Sequence, residues 1–275
     1  MVVADLDSTL LDGEARIPSR LWPLLERMRE LGMLFVPASG RPLATIHSMF
    51  ERAERGMPFI AENGGYVVRD GRTIAASTFD HRFVAKVIER VRGLVADGAD
   101  LGLVLSGKNS AHIERHDEVF LDQARIYYVA LSVVDDLLTV PDDIVKLSIY
   151  DFGDPEHSTK SRVDSFAEGN QVVLAGKHWV DIMSAGVNKG VAVRSLQEAL
   201  GISREQTAAF GDYFNDIEML DAAELSFAVA NAHPEVKKHA RAVVPANTEG
   251  GVITTLERLL EVRERSVRAL RPAQR

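Results

Sequence analysis

Four aspartates stand in two short groups near opposite ends of the chain. Asp5 and Asp7 lie in Asp5-Leu6-Asp7-Ser8-Thr9, and Asp212 and Asp216 in Gly211-Asp212-Tyr213-Phe214-Asn215-Asp216. Carboxylates brought within a few ångströms raise one another's pKa and need positive charge among them. The chain has no cysteine, which excludes disulfides, thiolate metal sites and cysteine nucleophiles and leaves oxygen or imidazole to hold a metal. Mg²⁺ fits such a cluster best, because it takes one or two carboxylates, several waters and a substrate phosphate oxygen. Ser39 in Ala38-Ser39-Gly40-Arg41 and Lys189 in Asn188-Lys189-Gly190 would meet the phosphate from its other side, one as hydrogen-bond donor and one as charge. The ensemble describes phosphoryl transfer.

Taken singly, each fragment has a plainer use. An Asp-x-Asp after a strand is common loop chemistry, Gly-Asp-x-x-Asn-Asp suits capping of the next helix, and Asn-Lys-Gly suits a helix start. The chemistry therefore depends on whether the elements bring these fragments to one place. Short apolar runs at 1–4, 33–36, 57–60, 207–210 and 225–229 do not alternate, as expected of strands covered on both faces. Between the first two, 19–31 carries Leu21, Leu24, Leu25, Met28 and Leu31 at helical spacing, with Ser19 as N-cap, Pro23 in the first turn and Gly32 as a stop. Strand, helix and strand in this order imply a parallel sheet with right-handed crossovers. Ligands of such a sheet bind outside the carboxyl ends of its strands, which is where Asp5, Ser39 and Asp212 fall.

The pattern changes after residue 61. Segment 66–76 reads as a hairpin about Asp70-Gly71, and 81–96 as a helix. Strands at 101–105 and 111–115 flank Gly107, and a strand, helix and strand follow at 144–150, 155–168 and 171–175. From 189 the first pattern returns. The simplest organisation is an α/β core made from both chain ends, 1–79 and 183–275, interrupted by an inserted α+β domain at 80–182. Helix 252–260 is expected to pack on the core of its own chain, and the charge-rich tail 263–275 to fray.

Composition sets outer bounds. Among 275 residues, 32 Lys and Arg against 40 Asp and Glu give a net charge of −8, with no basic stripe of the kind that nucleic-acid phosphates require. No apolar run approaches the roughly 20 residues of a membrane span, and the opening residues lack a basic leader followed by an apolar stretch. A cytoplasmic protein with no nucleic-acid or membrane partner, monomeric or weakly homodimeric, is expected.

The sequence resembles the haloacid dehalogenase-like phosphohydrolases, specifically the Cof-type branch with an inserted α/β cap of the C2B type. DLDSTLLD at 5–12 resembles the first motif, ASGR at 38–41 the second, Lys189 in GVNKGVAV the third and GDYFNDIEML at 211–220 the fourth. IAENGG at 60–65, DIMSAGVNKG at 181–190 and ANAHPEVKKHA at 230–240 agree as well. The resemblance implies a Rossmann-like parallel-sheet core and a Mg²⁺-dependent phosphatase of small phosphomonoesters, sugar phosphates first and phosphorylated cofactors second. It implies Asp5 as nucleophile and Asp7 as general acid and base. The metal would be held by the Asp5 carboxylate, the Asp7 backbone carbonyl and Asp212, with Asp216 a further ligand or an orienting group. The Leu6 amide, Ser39, the Gly40 amide, Lys189 and Asn215 would hold the phosphoryl oxygens. Ser8 departs from the pattern, standing where the family usually has glycine.

Arg41 and Asn63 are candidate substrate contacts beside these motifs. In the insert, the candidates are the turn Ser106, Gly107, Lys108, Asn109 and Ser110, together with His178. Two other functions are compatible with the scaffold. A phosphomutase would be expected to carry a longer fourth motif than the three residues separating Asp212 from Asp216, and a non-catalytic sugar-phosphate-binding regulator would be expected to have lost Asp5, Asp7 or Lys189.

Overall fold

The computed structural model describes the chain except Glu54, Gly176 and residues 271–275, and no side chain beyond residue 267. Five strands open it: β1 (Val2–Asp5), β2 (Phe35–Ala38), β3 (Pro58–Ala61), β4 (Tyr66–Arg69) and β5 (Arg72–Ala76). Six follow: β6 (Leu101–Gly107), β7 (Ala111–Ile113), β8 (Leu131–Val133), β9 (Ile144–Asp151), β10 (Asn170–Ala175) and β11 (Trp179–Ser184). The last three are β12 (Ala208–Gly211), β13 (Leu225–Val229) and β14 (Ala242–Val244). The helices are α1 (Leu21–Glu30), α2 (Leu43–Phe50), α3 (His81–Ala96), α4 (Glu118–Tyr127), α5 (Thr159–Val163), α6 (Lys189–Leu200), α7 (Ile217–Asp221), α8 (Pro234–His239) and α9 (Gly251–Leu270).

Among the described residues the outer strand groups form one eight-stranded sheet, in the order β14-β13-β12-β1-β2-β3-β4-β5. The pairs from β14 to β3 are parallel, and β4 and β5 add an antiparallel hairpin. Asp70 and Gly71 turn that hairpin with φ of +50° and +70°, the backbone that the dipeptide favours. Successive side chains of a strand point to opposite faces. Val2 and Ala4 pack with α1, α2 and α9, whereas Val3 packs with α6, α7 and α8. Both faces are covered, which is why these strands read as unbroken apolar runs.

The middle strands form a second, six-stranded sheet in the order β10-β11-β9-β6-β7-β8. Its pairs are antiparallel apart from β7 with β8. Val84, Val87, Ile88, Val91 and Leu94 of α3 cover one face, against Leu103, Leu147, Ile149, Val180 and Ile182. The boundary expected at residue 182 falls inside β11.

Several local expectations are corrected. Ser19 does not cap α1, because Arg20 is already helical and no side chain caps that end. The helix expected over 155–168 is a single turn, α5, followed by a tight turn at Asp164–Ala167. The tail remains helical to Leu270 instead of fraying from 263, and its remainder lies outside the described residues. Val252, Ile253, Leu256 and Leu260 of α9 pack on the core of their own chain, as expected. Among the described residues, no helix is long and apolar enough to cross a membrane.

Candidate active site

Asp5 is the last residue of β1, and Asp212 follows β12, the strand beside it. Lys189 opens α6, whose start is fixed by Asn188: its side chain accepts from the Val191 N–H at 2.8 Å. This places the Lys189 side chain under the sheet edge with no exposed surface. Its Nζ donates to Asp5 Oδ1 at 2.5 Å and to Asp216 Oδ1 at 2.7 Å. The second oxygen of Asp216 accepts the N–H groups of Asp212 and Tyr213 at 2.9 and 3.2 Å, so this carboxylate organises its own loop. The close fit demands glycine at 211, where a Cβ would stand 2.5 Å from the Asp216 Cβ.

One oxygen from each of Asp5, Asp212 and Asp216 lies within 4.8 Å of the others. Thr9 Oγ1 donates to Asp212 Oδ1 at 2.9 Å. Burial, then the charge of Asp216, drives the Asp5 pKa well above the usual carboxylate range, although Lys189 opposes this. Burial also raises Asp212. Burial alone would lower Lys189, but Asp216 and Asp5 outweigh it and hold the ammonium charged. Three carboxylates around one ammonium leave two net negative charges, which an oxygen-coordinated divalent cation would neutralise.

Asp7 lines the same cavity as Asp5 and Asp212, but its carboxylate stands outside the close group of three. Asp7 sits in a wide turn, Leu6–Leu10, with extended angles (φ −70°, ψ 127°) that send its side chain away from the cluster. It pairs instead with Arg41, whose Nε and NH2 donate to it at 2.9 and 2.6 Å, and its side chain is 52% exposed. Ser8, the next residue, has φ +60°. The turn thus adopts the left-handed backbone that glycine takes without strain. Asn231 Nδ2 donates to the Ser8 carbonyl at 2.7 Å.

Ser39, Gly40, Arg41, Asn63 and Asn215 gather beside Asp5 and Asp212 on the wall of one cavity of about 530 Å³. Asn215 Nδ2 donates to Asn63 Oδ1 at 3.0 Å. A Cβ on Gly40 would meet that Asn63 side chain at 3.0 Å, which accounts for glycine there. Leu6 is buried in the core and does not line this cavity.

The opposite wall comes from the insert and holds Tyr127 and Tyr128 from the end of α4 and Lys146, Ser148, Trp179 and Asp181 from β9 and β11. None of these was singled out from sequence. The available signal was alternation. In IVKLSIYD of β9, Lys146, Ser148 and Tyr150 occupy one face and Leu147 and Ile149 the other, while Asp181 of β11 stands opposite Ser148. The insert residues that were singled out lie elsewhere. His178 Nδ1 faces the Asp151 carbonyl at 2.9 Å and its ring stacks near Tyr150. The turn 106–110 lines a small crevice against Pro42, Leu43 and Ala44.

Known proteins carry the same plan. The chain is 29% identical over 265 residues to the 5-amino-6-(5-phospho-D-ribitylamino)uracil phosphatase YbjI of Escherichia coli K12, covering 95% of this chain and 96% of that protein. It is 27% identical over 288 residues to the pyridoxal phosphate phosphatase YbhA of the same organism, covering 92% and 95%. The crystal structure of a haloacid dehalogenase-like hydrolase from Bacteroides thetaiotaomicron superposes with a TM-score of 0.83 at 25% identity, covering 94% of this chain and 98% of that one. The profile of one family matches residues 2–256, and the chain accordingly belongs to the haloacid dehalogenase-like hydrolases.

Proposed function

We propose that this protein is a Mg²⁺-dependent phosphatase of small phosphorylated metabolites, sugar phosphates first and phosphorylated cofactors second, acting through an aspartyl-phosphate on Asp5. The observation that carries the reading is the buried Lys189–Asp216 pair holding Asp5, which with Asp212 lines a cavity whose other wall comes from the insert, in a chain whose relatives are named phosphatases. Asp5 and Asp212, with the Asp7 carbonyl, would hold the cation, and Asp216 would orient them. Bound there, Mg²⁺ supplies charge that screens the nucleophile from the phosphate.

An Asp5 oxygen attacks phosphorus, the bond to the leaving oxygen breaks, and Asp7 delivers a proton to that oxygen. Water then attacks the phosphorus of the aspartyl-phosphate, gives its proton to Asp7 and releases inorganic phosphate and free Asp5. Asp7 reaches this position by turning from Arg41, a movement its exposure allows. Arg41, released, then faces the phosphoryl group with Ser39, the Leu6 and Gly40 amides, Asn215 and Lys189, which hold oxygens as charge redistributes. Asn63 keeps Asn215 in place. Residues 1–79 and 183–275 are assigned the phosphate chemistry, and 80–182 the selection of the leaving group. The aromatic wall of Tyr127, Tyr128 and Trp179 suits a leaving group with a flat or apolar face.

The test is a screen of sugar phosphates, nucleotides and phosphorylated vitamins with Mg²⁺, repeated on the best substrate in ¹⁸O-labelled water. One labelled oxygen per released phosphate is expected. Transfer to another position of the substrate without free phosphate would overturn the hydrolase reading in favour of a mutase.

A further inference from the structure

Lys146 belongs to β9 of the second sheet, yet its ammonium ends among groups of the first. Its Nζ lies 2.6 Å from Glu62 Oε2 and 3.6 Å from Asp181 Oδ2, and donates to the Gly40 carbonyl at 3.2 Å. All three charged side chains are buried. Glu62, just after β3, donates its N–H to the Arg41 carbonyl at 3.1 Å, and Asn63 donates its own to the Ser39 carbonyl at 3.0 Å. Each carbonyl of Ser39-Gly40-Arg41 therefore has a donor. Those of Ser39 and Arg41 are held by backbone of the same domain, whereas that of Gly40 is held by a side chain from the insert. The Gly40 carbonyl is half-buried and loses a charged donor if Lys146 withdraws, so the Gly40–Arg41 peptide is held in this orientation while Lys146 is in place.

We propose that Lys146 is a positioning residue, a latch by which the seated insert locks the Ser39-Gly40-Arg41 loop in its phosphate-holding conformation. The latch rests on the reading that this loop binds phosphate. It couples two events that occur in different domains, and the coupling is reciprocal: a bound phosphate favours the seated insert as much as the seated insert favours phosphate. Glu62 neutralises the ammonium without itself ordering the loop through its side chain.

The test uses p-nitrophenyl phosphate as substrate and inorganic phosphate as competitive inhibitor, with Mg²⁺ present. Lys146→Met should raise the phosphate inhibition constant and KM together by about tenfold, the scale of one lost charged hydrogen bond, with a smaller change in kcat. Glu62→Gln keeps the contact to Gly40 and should stay within about threefold of wild type. The double variant E62Q/K146M removes one of the two charges that Lys146→Met strands, the other being served by Ser148, and should keep the weakened phosphate binding while melting above the single Lys146→Met variant. Unchanged phosphate inhibition in either Lys146 variant, or an equal loss in Glu62→Gln, would overturn the latch. A wild-type enzyme that hydrolyses the substrate but ignores phosphate would instead overturn the phosphate-loop reading, and the latch with it.

Discussion

The molecule uses one device twice, with different results. At the edge of the first sheet, Lys189 is buried between Asp5 and Asp216; at the junction of the two sheets, Lys146 is buried between Glu62 and Asp181. The difference lies in what surrounds each trio. Asp212 adds a third carboxylate beside Lys189, leaving two net negative charges in the cluster. The Lys146 trio has one net negative charge, and a hydroxyl chain answers it: Tyr128 Oη donates to Ser148 Oγ at 3.2 Å, and Ser148 Oγ to Asp181 Oδ1 at 2.7 Å. Hydroxyl donors can satisfy a single excess charge within the protein. Two excess charges call for a ligand, and we accordingly propose the first cluster as a site and the second as a joint between the sheets.

The two clusters should differ most when their lysines are removed. In metal-free protein, Lys189→Met strands three carboxylates and should cost about 3–5 kcal/mol of stability, the usual result of breaking a buried ion pair. Lys146→Met strands two, one already served by Ser148, and should cost less, about 2–3 kcal/mol. Urea unfolding in chelator measures both, and equal losses would show that the excess charge does not separate the clusters.

A second change sharpens the contrast. Asp5→Asn should lower kcat at least about a hundredfold, some 2.7 kcal/mol of barrier, while the fold persists. Its stability should follow pH differently from wild type. Burial and Asp216 raise Asp5 in the metal-free protein, so the folded chain retains a proton that the unfolded chain has lost. Stability therefore falls as pH rises from the ordinary aspartate value, 3.8, through the raised one. Asp5→Asn removes that fall, and unfolding measured in chelator at a series of pH values should show the variant gaining on wild type toward neutrality. The smallest effect is expected at Ser8. Glycine relieves the positive φ, so Ser8→Gly should stabilise the protein by up to about 1 kcal/mol and leave the order of substrates unchanged.

Much of the core was legible because strand ends are legible. β1, β2 and β12 end within two residues of the apolar runs that announce them, so the residues following those runs had to meet at one sheet edge. Asp7 escaped this logic because the turn after β1, and not the strand, sets where its side chain goes. The second sheet was harder to read. IVKLSIY reads as an apolar run, yet its polar residues share one face with Asp181 across the pair of strands. α4 was hidden for another reason: Val119, Ile126 and Tyr127 are exposed beside the buried Phe120, Leu121 and Ala124, which blurs the helical period. β8 is three residues long and half exposed, too short to leave a pattern.

The excess negative charge of the first cluster should make activity depend on an added cation. With p-nitrophenyl phosphate as substrate, the protein should be inactive in chelator, recover on addition of Mg²⁺ and respond poorly to Ca²⁺, which prefers more ligands at longer distances. Full activity in chelator would contradict the assignment of the Asp5, Asp212 and Asp216 cluster as a cation-dependent catalytic site.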